Sequence, residues 1–287
     1  MSLVIGDNNF KDATVVIVGH GSTKNDNSGE SARQHAAELR ERKIFAEVKE
    51  GFLKQEPELC AVAASIATPR AFFVPLFVCE GYFTEEILPA KLGFKQSEET
   101  AFRRVKFEHG KTCYYCEVVG THPSMTDVLL RRAREVLVAY PFPRAPKESQ
   151  ISLIIAGHGT EKNSNSRRAI ENQVELLRAR NIYADVHAVF IEEAPRIEAA
   201  YTLASASNVV VVPFFMSEGL HVQEDIPILL GEARRFIEER LKSNLPVWRN
   251  PSEKKGKRVW YARAVGTEKG IADVLIQRVR EASSANV

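Results

Sequence analysis

The chain is written twice. VVIVGHGSTKNDNS at 15–28 returns as LIIAGHGTEKNSNS at 153–166. A separation of 138 residues, without gaps, relates His20 to His158, Leu39 to Leu177, Pro57 to Pro195, Pro75 to Pro213 and Pro89 to Pro227. Further on the separation is 146, as between Gly120 and Gly266 or Asp127 and Asp273, so the second copy carries eight extra residues. They fall in SNLPVWRNPSEKKGKR at 243–258, a polar stretch that reads as a surface loop. A duplication this complete demands one architecture used twice. The expected domains are 1–143 and 144–287, joined through YPFPRAPKESQ, whose three prolines favour an extended linker.

Each copy alternates short apolar, β-branched runs with helical patterns, the order of parallel strands joined by helical crossovers. Strands are expected at Thr14–Val18, Phe45–Leu53, Ala71–Phe77 and Thr112–Val119, and again at Ile151–Ala156, Tyr183–Phe190, Val209–Phe215 and Val259–Val265. Runs such as VVVVPFF are apolar at every position, which suits a sheet covered on both faces. The fold class is therefore α/β: two similar domains, each a four-stranded, mainly parallel sheet flanked by helices. Such sheets bind ligands beyond the carboxyl ends of their strands.

Composition narrows the partners. With 44% hydrophobic and 26% charged residues the chain has the make-up of a soluble globular protein. Its 39 basic and 37 acidic residues leave a net charge of +2, which argues against a nucleic-acid partner. The longest apolar run, Val209–Met216, is too short to span a bilayer, and a cytoplasmic protein is expected. Cys113 and Cys116 are three apart in a strand-like run and so face opposite sides, which suits neither a zinc pair nor a bridge; plain buried thiols are expected.

Three segments carry chemistry. After the first strand of each copy comes Gly-His-Gly, with His20 in copy one and His158 in copy two. The glycines allow a sharp turn that presents the imidazole at the mouth of the sheet. Taken singly, such a histidine is as readily a capping residue. After the second strand copy two has Glu192, before a helix that Pro195 could open, and copy one has Lys54. After the third strand SEGLHVQEDIP holds His221, where CEGYFTEEILP holds Phe83, and Asp225, where copy one has Ile87. Together His158, Glu192 and His221 can converge past three parallel strands. Two imidazoles and a carboxylate suit Co²⁺, Ni²⁺, Fe²⁺ or Zn²⁺ with positions left open for exchange. His20, Lys54 and Phe83 build no equivalent, so copy two reads as the working half.

IAGHGT, FIEEAP and PFFMSEGLHVQEDIP resemble the motifs of the class II chelatases, specifically the sirohydrochlorin cobaltochelatase and ferrochelatase group known as CbiX/SirB. The likeness covers nearly the whole chain, once per half. Thr160 stands where the family usually has serine, and Glu218 precedes the glycine. The resemblance implies two units enclosing a cleft for a flat tetrapyrrole. It implies His158 and His221 as metal-handling histidines with Glu192 beside them. The divalent metal, Co²⁺, Fe²⁺ or Ni²⁺, is then a substrate, and no organic cofactor is called for. The tetrapyrrole's carboxylates call for basic groups at the cleft rim; Lys162, Arg167 and Arg168 are candidates, though each reads more readily as ordinary solvated helix charge. One chain holding both halves makes a monomer the default. Two other readings use the same residues: a carrier of tetrapyrrole or metal without turnover, and a metal-dependent hydrolase.

Overall fold

A computed structural model of the chain describes residues 9–23, 26–96, 101–160 and 164–285. It contains two compact units, one made of residues 1–122 with 269–287, the other of 123–268. In the first, strands β1 (Phe10–Gly19), β2 (Phe45–Phe52), β3 (Arg70–Pro75), β4 (Val105–Glu108) and β5 (Lys111–Tyr115) lie in the order β2-β1-β3-β5-β4. In the second, β6 (Ile151–Gly157), β7 (Asp185–Phe190), β8 (Asn208–Pro213), β9 (Ser252–Lys254) and β10 (Lys257–Tyr261) repeat it as β7-β6-β8-β10-β9. Four strands of each sheet are parallel, as the sequence predicts. The fifth, β4 or β9, is antiparallel to the strand that follows it.

Those fifth strands correct the expected count of four. They are three or four residues long, half-exposed and charged, so no apolar pattern announces them. Their signal is the turn: His109-Gly110 and Lys255-Gly256 all have positive φ, the backbone that a tight hairpin requires. The extra residues of copy two are likewise more than a surface loop. Trp248 within them is buried, and its indole N–H donates to the Val259 carbonyl at 3.2 Å.

The central strands are buried over most of their length, β6 at all seven positions. The helices that cover them follow in chain order as α1 (Glu30–Arg42), α2 (Leu59–Ala64), α3 (Leu88–Lys91), α4 (Met125–Ala139), α5 (Asn165–Ala179), α6 (Ala200–Leu203), α7 (Ile226–Leu229), α8 (Arg234–Lys242) and α9 (Ile271–Ser284). Helix α5 shows why these segments are helical: Ala169, Ile170, Gln173, Val174 and Leu177 form one buried stripe at helical spacing. No described helix is long and apolar enough to cross a membrane. Cys113 is half-buried and Cys116 buried, both free, and burial pushes both thiols up.

The boundaries 1–143 and 144–287 mark the duplication, whereas the compact units interleave. Helix α4, from the first repeat, packs on β8, β10 and α5, and α9, from the second, packs on β1's neighbour β3, on β5 and on α1. The two helices have exchanged sheets, as in a domain swap within one chain. Each brings a buried arginine. Arg132 donates to Thr267 Oγ1 at 2.9 Å, and Arg278 donates to Thr121 Oγ1 at 3.1 Å and to the Val118 carbonyl at 2.9 Å. The threonines in turn approach Glu218 and Glu80, at 3.5 and 3.1 Å. Periodicity locates both helices but says nothing about which sheet each covers, because the two sheets offer the same apolar face.

Close backbone approach fixes the segment after the third strand. Gly266 N–H donates to the Phe215 carbonyl at 2.9 Å, and a Cβ at Gly266 would sit 2.3 Å from the Met216 Cα. The Gly266→Ala variant is therefore expected to lose about 1–3 kcal/mol of stability, the usual range for overpacking, measured by urea unfolding. Gly120→Ala, whose Cβ would lie 2.1 Å from the Val78 carbonyl oxygen, should behave alike.

Candidate functional site

Parallel pairing of β6 with β7 continues one step beyond the strands. The Glu192 N–H donates to the His158 carbonyl at 3.0 Å, which sets the two residues side by side at the carboxyl end of the sheet. Gly159 then turns the chain with φ +65, and a Cβ there would come within 2.7 Å of Glu193. Residues 191–195 form a loop that returns to β7, where the Phe190 N–H meets the Pro195 carbonyl at 2.8 Å. The helix expected to open at Pro195 begins later, at Ile197. Proline cannot donate the closing bond, and here the bridge to Phe190 holds the segment extended through Arg196.

His221 reaches the same place from β8. It begins a π-helical turn, His221–Asp225, closed by the Ile226 N–H on the His221 carbonyl. Pro227 follows directly and supplies no N–H of its own, so the chain passes into α7 through a widened turn. This places the His221 ring 4.8 Å from that of His158, edge to face at 81°.

Both imidazoles are held by one nitrogen. His158 Nδ1 lies 2.6 Å from the Gly159 carbonyl oxygen, and His221 Nδ1 lies 2.6 Å from Asp225 Oδ2. Carbonyl and carboxylate oxygens only accept, so each Nδ1 carries a proton, and in the neutral ring each Nε2 presents a lone pair. His158 Nε2 stands 3.7 Å from Glu192 Oε1. Side-chain exposures of 36% for His158, 53% for Glu192 and 45% for His221 leave all three within reach of a solute. His158 thus touches both other members of the set. Among the described residues no three His, Cys, Asp or Glu side chains stand close enough to hold a metal ion without moving.

Copy one repeats the backbone and changes the chemistry. The Lys54 N–H donates to the His20 carbonyl at 3.0 Å, and His20 Nδ1 lies 2.8 Å from the Gly21 carbonyl oxygen. Its ring meets Phe83, not a second imidazole, at 4.6 Å and 88°, with the Lys54 ammonium 5.6 Å from the Phe83 ring. The geometry of a ring pair survives without its second nitrogen donor. Ile87 stands where Asp225 would orient such a donor.

Of the basic residues expected to meet substrate carboxylates, Lys162 lies outside the described residues. Arg167 is engaged with Glu171 at 2.8 Å, Glu193 at 3.2 Å and the Ala194 carbonyl at 2.9 Å, so it braces the loop. Arg168 is exposed. Sequence reasoning assigned no part to Glu193 or Asp225. Glu193 accepts the Thr160 N–H at 3.2 Å and so fixes the turn after His158. The clue was available: Asp225 appears only in the copy that has His221, at a spacing of four. Glu218 accepts the Ala264 N–H at 2.8 Å, which gives that departure from the family motif a structural task.

Fold and site define an α/β protein of two like units with a histidine pair beyond the strand ends of one. The CbiX family profile matches residues 14–136 and 152–282, once per repeat, and the chain belongs to that family. A relative described as a probable sirohydrochlorin cobaltochelatase from Halobacterium salinarum is 36% identical over 94% of this chain and 91% of its own length. Among solved structures, a multi-domain protein of Deinococcus radiodurans, described as structurally similar to chelatases, superposes with a TM-score of 0.75 at 26% identity. It covers 93% of this chain, which spans 54% of that longer one. The sirohydrochlorin chelatase SirB of Bacillus subtilis, solved with cobalt, shares the fold at a TM-score of 0.63 and 14% identity, over 96% of both chains.

The Asp225 carboxylate should matter through His221. Partners that orient a ligating imidazole typically contribute 10–100-fold in metal affinity. Asp225→Ala is expected to weaken Co²⁺ binding by about 10–100-fold, read by calorimetric titration, with the fold unchanged by circular dichroism.

Proposed function

We propose that this protein inserts a divalent metal, cobalt or iron, into sirohydrochlorin, with His158, Glu192 and His221 handling the metal. The observation that carries this reading is the pair of imidazoles whose Nδ1 atoms are both occupied and whose Nε2 atoms are both available, found in one repeat and not in the other. The family and the Halobacterium relative support the reaction class.

The chemistry makes two demands on the chain. An aquated metal must exchange waters for weak ligands that can release it again, and exposed Nε2 donors with a solvent-accessible carboxylate meet that demand. Two pyrrole protons must leave as the metal binds the four nitrogens of the macrocycle, so one M²⁺ enters and two H⁺ depart. Once the metal has left it, the His158 Nε2 lone pair can take one proton and pass it to Glu192, 3.7 Å away, and so to solvent, and the second proton can follow the same route. We assign His221 as a metal ligand held by Asp225, and His158 as ligand and base. The metal is substrate throughout, and no organic cofactor enters. The protein acts as a cytoplasmic monomer, since one chain already carries both copies of the unit.

Purified protein mixed with sirohydrochlorin and Co²⁺ or Fe²⁺ should convert the free-base absorption spectrum with multiple turnovers. Loss of a general base alone typically removes 10²–10⁴-fold in rate. His158→Ala and His221→Ala are each expected to lower the rate by at least about 10²-fold, and His20→Ala by far less. A stoichiometric spectral change without turnover would point to a carrier instead. Equal loss in His20→Ala would show that both repeats work.

A further inference from the structure

The two copies differ at a second place, at the opposite end of the first unit's sheet. In the second unit Tyr201 of α6 is buried, and its hydroxyl donates to the Leu230 carbonyl at 2.5 Å. The Lys255 ammonium, from the β9–β10 turn, sits 5.0 Å from the centre of its ring. The residue equivalent to Tyr201 in the first unit is Ala63 of α2, and the equivalent of Leu230 is Leu92. Where the tyrosine ring would lie there is a cavity of about 400 Å³, walled by Ala63, Ile66, Ala71, Phe73, Leu92 and Cys113. At its rim Lys106 Nζ donates to the Leu92 carbonyl at 2.7 Å, and His109 takes the place of Lys255.

We propose that this cavity binds a small neutral phenol, a single aromatic ring with one hydroxyl, in the place that the Tyr201 side chain occupies in the twin unit. The six residues named above are apolar, Lys106, Glu108, His109 and Lys111 make its polar side, and a much smaller apolar cavity of about 150 Å³ is enough to hold a benzene ring. The polar end is defined as well. A carbonyl oxygen has two lone pairs, so the Leu92 oxygen can accept a phenol hydroxyl while keeping its bond to Lys106. The Lys106 ammonium at the rim, paired with Glu108 at 2.7 Å, stands in for the one that lies against the ring of Tyr201. The site shares no residue with the His158, Glu192 and His221 set and does not depend on their assignment.

The probe is 4-methylphenol, the tyrosine side chain as a free molecule. It is expected to bind the full chain in a saturable one-to-one manner by calorimetry, to raise the thermal midpoint, and to slow alkylation of Cys113 by iodoacetamide without slowing that of Cys60. Toluene, which lacks the hydroxyl, should bind roughly tenfold more weakly, the equivalent of one hydrogen bond. Ala63→Tyr should raise the midpoint by itself and abolish 4-methylphenol binding; Ala63→Leu, a smaller filling, should weaken binding and serves if the tyrosine variant fails to fold. Absence of saturable binding, binding that persists in the filled variants, equal protection of Cys60, or equal affinity for toluene would each overturn the proposal.

Discussion

The site depends on hydrogen bonding that outlasts the sheet. In both units the chain beyond β2 or β7 still pairs with the loop beyond β1 or β6, so that the backbone of Lys54 or Glu192 bonds the histidine carbonyl at 3.0 Å. These are backbone bonds, indifferent to side chain; with those from Leu76 to Val18 and from Phe214 to Ala156, which tie in the third strand, they set the strand ends alike in each copy. Gly21 and Gly159, with φ of +67 and +65, make the turn possible. Once that frame is rigid, the identity of three side chains decides what the end of the sheet can do.

Duplication therefore separated frame from chemistry. The first copy keeps the frame, the histidine and even the edge-to-face ring contact, at 4.6 Å against 4.8 Å in the second. It has no second nitrogen and no counterpart to the carboxylates at 192 and 225. Phenylalanine preserves the packing of His221 without its lone pair, and lysine replaces an anion with a cation that would repel a metal. The two copies also differ at the other end of the sheet, where Ala63 stands at the position of Tyr201 and leaves a cavity. Neither repeat, however, could drift freely. The exchange of α4 and α9 makes each compact unit depend on a helix from the other repeat, and on a buried arginine within it.

Much of this is legible in the sequence, for identifiable reasons. Strands buried on both faces carry near-continuous apolar runs, so β1, β3, β6 and β8 declare themselves. The residues His158, Glu192 and His221 could be placed together because parallel strands bring their ends to one side, and the fold does bring His158 against each of the other two. What escaped lacks a local signature. The edge strands β4 and β9 are short and charged. The burial of Trp248 inside a polar stretch answers to tertiary packing. The partner of an exchanged helix depends on which of two like surfaces it covers, and periodicity is silent on that choice. Glu193 and Asp225 act through other residues, Glu193 by bracing the turn at Thr160 and Asp225 by fixing the tautomer of His221.

The central claim is that metal is handled in the second repeat alone, between two imidazole Nε2 atoms. Anomalous diffraction at the cobalt edge from crystals soaked in Co²⁺ tests it most directly, because it locates the ion without reference to turnover. The account predicts one strong peak within bonding distance of His158 and His221 Nε2, with Glu192 turned toward it, and none beside His20. A peak of equal strength at His20, or an ion bound away from both histidines of the second repeat, would contradict it.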